Sequence, residues 1–302
     1  MYRRIIVGHD LLEGGNDALA LGRLIADASD AELVVAGVFP EIDGYAAYGF
    51  EPDRRTQEEK FTVKVQSVAD GAGAMAKAFQ SSSAARGLHD LAEEIDADLV
   101  VVGSSRRSKF GEMLAGNVGL GLLHGSPCAV AIAPCGYADT ATKLTSITLG
   151  FDGSHEAGMA LEDAVELTRA SGAKLRIVSC IDSPPIILGK GSGTSGGRGE
   201  LNNRIETYMR GQLDRALQSV PKEVEAEATL LVGNPAKRLA EAAEGSDLLV
   251  LGSRAYGPLR RVLLGSISRS LIRSAPCPVL VHPRPAKAGV SPGESVVVAG
   301  AQ

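Results

Sequence analysis

Leu248-Leu-Val-Leu-Gly252-Ser-Arg-Ala-Tyr-Gly-Pro-Leu-Arg-Arg-Val-Leu-Leu-Gly265-Ser-Ile-Ser268 is the stretch from which the rest of the chain can be read. Its apolar start has the length and composition of a buried strand, and it ends at Gly252. After a loop, the small-residue turn Gly265-Ser266-Ile267-Ser268 opens a helix that runs to about Ser274. Glycine at a strand's carboxyl end and at a helix N-terminus lets backbone N–H groups approach a phosphate closely. The hydroxyls of Ser253, Ser266 and Ser268 add donors. The pattern describes an anion cradle without the spacing of a Walker loop.

The same design occurs a second time. Leu91-Ala-Glu-Glu-Ile-Asp-Ala-Asp-Leu-Val-Val-Val-Gly103-Ser corresponds to Leu239-Ala-Glu-Ala-Ala-Glu-Gly-Ser-Asp-Leu-Leu-Val-Leu-Gly252-Ser. Likewise Ser126-Pro-Cys-Ala-Val130 corresponds to Ala275-Pro-Cys-Pro-Val279, and Ile5-Ile-Val-Gly-His-Asp10 to Ile147-Thr-Leu-Gly-Phe-Asp152. A repeat of about 145 residues is too long for a solenoid unit and marks a duplicated domain. The expected units are residues 1–136 and 144–284, joined by the polar stretch Cys135–Lys143 and followed by a loose tail over 285–302.

Within each copy strands alternate with helices. In the first, strands are expected at Arg4–Gly8, Glu32–Val38, Ala74–Gln80, Leu99–Gly103 and Ala129–Ala133. Helices are expected at Asn16–Ala28, from Thr56 to just before Gly71, at Ala85–Glu94 and at Glu112–His124. Continuous apolar strands such as Leu99-Val-Val-Val are those covered by helices on both faces. The fold class that follows is α/β, with two tandem doubly wound five-stranded parallel sheets of order 3-2-1-4-5. Ligands of such sheets sit beyond the carboxyl ends of the strands, where Asp10, Asp152, Gly103 and Gly252 all fall.

Asp at the end of strand one, then strand–Gly252-x-x-Ala255–nine residues–Gly265-Ser-x-Ser268–helix–Pro-Val-Leu-Val, resembles the universal stress proteins, over both halves. The resemblance implies a tandem member with a five-stranded parallel sheet in each half. It also implies an ATP site of the kind one branch of the family carries, with or without Mg2+. Carried onto this chain, it places Asp152 near the adenosine and Ile181 against the adenine. Gly252, Ser253, Ala255, Gly265, Ser266, Ile267 and Ser268 then surround ribose and phosphates, and ATP is preferred to GTP. Ala255 stands where the motif has glycine, which weakens the site if that position needs φ > 0. In the N-terminal copy Asp10, Val38, Gly103 and Gly116 remain, while Arg106 replaces the second glycine, Asn117 the first hydroxyl and Gly119 the second. Arg106, Arg107 and Lys109 can serve an anion or form an ordinary solvated loop. Edge strands of this family pair with another copy, so the fifth strands should join the two halves or a homodimer.

Composition narrows the partners. The 302 residues are 44% hydrophobic and 22% charged with a net charge of −5, an ordinary soluble balance without the basic clusters that nucleic acid requires. No apolar run reaches the ~18 residues that span a membrane, and the start lacks a signal peptide's h-region, so a cytoplasmic address is expected. Cys128, Cys135, Cys180 and Cys277 form no CxxC pair and read as free thiols, with no metal site. Gly191-Ser-Gly193-Thr-Ser-Gly196 matches a Rossmann fingerprint by letter only, because it follows strand two in a Gly/Ser-rich insert. The loop over Pro40–Pro52 carries Tyr45, Tyr48 and Phe50, which suit a lid or packing on their own sheet. Among the histidines, His9 beside Asp10 is best placed for a ligand. No nucleotidyl-transfer, pyrophosphatase, nucleophile-elbow or zinc-protease signature occurs. Three readings remain: a nucleotide-binding signalling module, a nucleotide-free interaction protein in which the motif is a helix cap, and a slow hydrolase.

Overall fold

The computed structural model describes residues 1–40, 54–104, 117–182, 195–253 and 265–282. The first half runs β1 (Arg4–Gly8), α1 (Glu13–Ser29), β2 (Glu32–Pro40), α2 (Arg54–Ala72), β3 (Met75–Ser81), α3 (Ala84–Glu94), β4 (Leu99–Gly103), α4 (Asn117–Leu123) and β5 (Ala129–Ala133). The second runs β6 (Ser146–Gly150), α5 (His155–Ser171), β7 (Lys174–Ile181), α6 (Ser195–Ser219), β8 (Ala226–Val232), α7 (Pro235–Ala242), β9 (Leu248–Gly252), α8 (Ser266–Ser274) and β10 (Val279–His282).

All ten strands form one sheet, ordered β3-β2-β1-β4-β5-β10-β9-β6-β7-β8. Each half is parallel internally and has the expected 3-2-1-4-5 order. The halves meet where β5 and β10 pair antiparallel, with Ala131 opposite Leu280. Of the two expected uses of the fifth strands, the chain takes the internal one, and each protects the other's edge. Because that pairing is antiparallel, the carboxyl ends of the strands point in opposite directions in the two halves, and their clefts open at opposite ends of the sheet.

Both apolar layers cross this seam. On one face Leu21 and Ile25 of α1 share a cluster with Ala160, Ala164 and Leu167 of α5. On the other, Leu122 and Leu123 of α4 share one with Leu271 and Ile272 of α8. Polar ties repeat too. Asp98 accepts the N–H groups of Arg3 and Arg4, while Asp247 accepts those of Thr145 and Ser146, anchoring β1 and β6 to the strand beside each. Between the halves, a short 3-10 turn at Tyr137–Asp139 is held by Asp17 of α1, a buried carboxylate that accepts from Gly136 N and Ala138 N.

α1 begins at Glu13, three residues before the expected Asn16. The sequence Glu13-Gly-Gly reads as a break, but Asp10 Oδ1 accepts from Leu12 N at 2.9 Å and Gly15 N at 3.0 Å, which folds both glycines into the first turn. The expected start of α4 at Glu112, the Tyr/Phe loop over 41–53, most of the Gly/Ser-rich insert and the tail over 285–302 lie outside the described residues.

Candidate functional site: two clefts at strand ends

The C-terminal cleft lies where β6 and β9 part and measures about 330 Å3. Its floor is Gly150, Val178 and Leu251. Its walls are Asp152, Ser154 and Ala157 at the start of α5, Pro235 and Leu239 of α7, Gly252 and Ser253 after β9, and Gly265 to Ser268 at the start of α8. The structure therefore brings Asp152, Gly252, Ser253, Gly265, Ser266, Ile267 and Ser268 together. Ala255 lies outside the described residues.

Ile181 is not among the described residues that line the cleft, whereas its neighbour Cys180 is. Alternate residues of a strand face opposite sides, so Val178 and Cys180 share the cleft side and Ile181 does not. Register gives the same answer. Gly8 pairs with Ala36 and Gly150 with Val178, so Val38 of the first half matches Cys180 of the second.

The helix starts around the cleft differ in one respect. α5 and α7 each begin with a side-chain cap: Ser154 accepts from Ala157 N and Asn234 from Lys237 N. Among the described residues α8 begins at Gly265 with no side-chain cap, which leaves its first N–H groups and positive dipole end at the cleft. Ser253 is 6% exposed, and among the described residues its Oγ has no hydrogen-bond partner. A buried unpaired hydroxyl is uncommon and calls for an explanation; a ligand oxygen against α8 supplies one.

Gly252 is glycine for a reason beyond any ligand. A Cβ there would come within 2.9 Å of the Glu156 backbone carbon and oxygen, so α5 can cross the strand end only if that carbon is missing. Gly103 is tighter still, with Gly14 O at 2.0 Å from the added atom.

The N-terminal cleft is lined by Asp10, Val38, Gly103 and Val118 together with His9, Gly14 and Gly15, and measures about 110 Å3. Arg106 and Gly116 lie outside the described residues, and Asn117 is described only as the first residue of α4. Two differences at the first turn separate the halves. Asp10 Oδ1 holds two N–H groups, whereas Asp152 Oδ1 accepts from Ser154 N alone among the described residues. Leu11 also adopts φ 61° to draw that turn in. Ser104, the counterpart of Ser253, is buried and likewise has no hydrogen-bond partner among the described residues.

His9 serves the turn from a buried position. Its Nδ1 accepts from Leu11 N at 3.0 Å, which leaves the ring proton on Nε2 to donate to Asn16 Oδ1 at 3.3 Å. Burial lowers its pKa from 6.5, with Asn16 and Asp10 opposing. As pH falls below 6.5 the unfolded chain takes a proton that the folded chain resists, so stability drops until the lowered folded pKa is reached. Urea midpoints between pH 7.5 and 5 should fall, and His9→Phe, which installs the residue of the second half (Phe151), should flatten that slope. An identical slope in the variant would locate the titration elsewhere.

The universal stress protein family matches residues 1–134 and 143–283, and the chain belongs to that family. A universal stress protein of Thermus aquaticus is 35% identical over 139 residues, covering 45% of this chain and 96% of its own. One from Mycobacterium tuberculosis is 27% identical over 203 residues, covering 67% of this chain and 69% of its own. Among solved structures, a universal stress protein of Archaeoglobus fulgidus superposes with a TM-score of 0.63 at 22% identity, over 93% of this chain and 98% of that one. A putative universal stress protein of Pseudomonas aeruginosa gives 0.64 at 16% identity, over 93% of each chain. At such identities the structures establish the shared fold. Among the described residues no helix is long and apolar enough to cross a membrane.

Proposed function

We propose that the chain is an ATP-binding sensor or signalling module of the stress response whose principal site is the C-terminal cleft. The observation that carries this reading is the buried Ser253 hydroxyl, without a partner among the described residues, in the same cleft as the start of α8. A phosphate oxygen there would pair Ser253, the α8 N–H groups and the hydroxyls of Ser266 and Ser268. Asp152 at the opposite wall suits the ribose or base, and the backbone at Cys180 and Ile181 suits the adenine edge. No cluster of three metal-ligating side chains occurs among the described residues, so Mg2+ would arrive with the phosphates.

The N-terminal half, with its smaller cleft and drawn-in turn, suits a weaker site built on Asp10, Val38, Gly103, Arg106, Gly116 and Asn117. The nucleotide-free interaction reading applies to this half better than to the other.

Removing the hydroxyl separates the alternatives. A buried unpaired polar group costs about 1–3 kcal/mol, so Ser253→Ala should raise the melting temperature of the ligand-free protein. The same variant should bind ATP about tenfold more weakly, roughly 1.4 kcal/mol. For the parent, ATP at 100 times its dissociation constant should stabilise the fold by about 2.7 kcal/mol, and GTP at the same concentration by less. If Ser253→Ala binds ATP as well as the parent, the carrying observation has another cause.

A further inference from the structure

Cys180 is the one residue of the C-terminal cleft with redox chemistry, and nothing in the nucleotide reading uses its sulfur. It lines the cleft from the end of β7, half-buried, and its Sγ donates to Gly233 O at 3.5 Å. The first half has Val38 at the matching position, so the fold does not require a thiol there. Arg238, whose guanidinium is paired with Glu241 at 2.9 Å, lies close enough for its charge to act on the sulfur. The same cleft is lined by the start of α8 and by Ser253 Oγ, which has no partner among the described residues, two features that accept an anion. A thiol that shares a cleft with an anion cradle is positioned for a small sulfur compound that carries carboxylates.

We propose that Cys180 is a thiol–disulfide exchange site for low-molecular-weight disulfides bearing carboxylates, and that the adduct and the nucleotide exclude each other from the cleft. The inference rests on the cleft being a nucleotide site. In the exchange the Cys180 thiolate attacks one sulfur of the incoming disulfide. The new bond joins Cys180 to that sulfur, the original S–S bond breaks, and the departing thiolate takes up the proton that Cys180 has released. The incoming disulfide is the oxidant. Its retained half lies along the wall between Cys180 and α8, where the nucleotide would otherwise sit.

The other thiols are placed differently. Cys128 and Cys277 are buried, and burial pushes both up to about 12, which suppresses their thiolates at neutral pH. Cys135 lies in the connection between the halves and lines neither cleft. At Cys180 burial also raises the pKa, opposed by Arg238, so exchange should quicken as the solution is made more alkaline.

The experiment uses the full chain and glutathione disulfide as probe, with and without ATP at 100 times its dissociation constant, followed by peptide mass mapping. The mixed disulfide should map to Cys180, and ATP should slow its formation about a hundredfold, since only about 1% of the cleft stays free. Treated protein should bind ATP at least about tenfold more weakly, and dithiothreitol should restore it. In Cys180→Val the ratio of treated to untreated affinity should be near one, whatever that variant's own affinity. Modification at Cys128, Cys135 or Cys277 in place of Cys180 overturns this proposal alone, as does exchange at Cys180 that ATP does not slow. Failure of untreated protein to bind ATP overturns the nucleotide reading, while the map still tests the exchange site.

Discussion

A chain cut after residue 136 should not survive as a soluble monomer. All five residues of β5, Ala129 to Ala133, are buried, and in the whole protein the neighbour on one side is β10. Removing the second half leaves that flat apolar strand as an open edge, the arrangement most prone to pair with another chain. Val279, Leu280 and Val281, each at most 1% exposed, would leave with it. Burial of three such side chains is worth about 5–9 kcal/mol as an upper bound, comparable to the whole stability of about 5–15 kcal/mol for a typical domain. The fragment should dimerise through β5 or precipitate, as light scattering would show. The intact chain should melt in a single transition, because both apolar layers cross the seam. A monomeric, well-folded fragment, or two separate transitions in the intact chain, would mean that the seam is a weak contact between independent domains.

The second large effect separates two glycines that look alike in the motif. Gly265→Val should weaken ATP binding about a hundredfold, roughly 2.7 kcal/mol, with little loss of stability. Its backbone, at φ −71° and ψ 168°, is one that valine adopts without strain. The cost to the free protein is that of a poorer helix start, about 1 kcal/mol. Gly252→Ala should do the reverse in part. Its methyl would meet the backbone of Glu156, which cannot rotate away, so overpacking should cost about 1–3 kcal/mol whether or not a ligand is present. Calorimetric titration and thermal melts of both variants decide the matter. Equal losses of stability would show that Gly265 too is held by packing, and normal ATP binding by Gly265→Val would remove α8 from the site.

How much of the site was legible depended on the kind of information each residue carries. Gly252, Gly265, Ser266 and Ser268 announce themselves by spacing, because a strand end and a helix start must come in that order to form a cradle. Asp152 follows from its place at the end of the first strand. Ile181 shows the limit. The resemblance places it against the adenine, but a shift of one residue changes the face, and the pairing of Gly150 with Val178 puts Cys180 on the cleft side. His9 shows another limit. Its position beside Asp10 suggests a ligand, and in the fold its two nitrogens are occupied by Leu11 N and Asn16 Oδ1.

The sequence by itself determined the local and the repeated. Strands, helices, their alternation and the duplication are written in hydrophobic periodicity and in the two copies of the Asp and Gly-Ser signatures, which act over a few residues and need no partner to be read. Tertiary structure alone decided what depends on residues far apart in the chain. It joined β5 to β10 rather than to a second molecule, because the linker held by Asp17 keeps the two edges within reach of each other. It made the two clefts unequal through a single turn, where Asp10 grips two N–H groups and Asp152 one. It also buried the Ser253 hydroxyl without a partner among the described residues, a fact of packing that no spacing of letters can express.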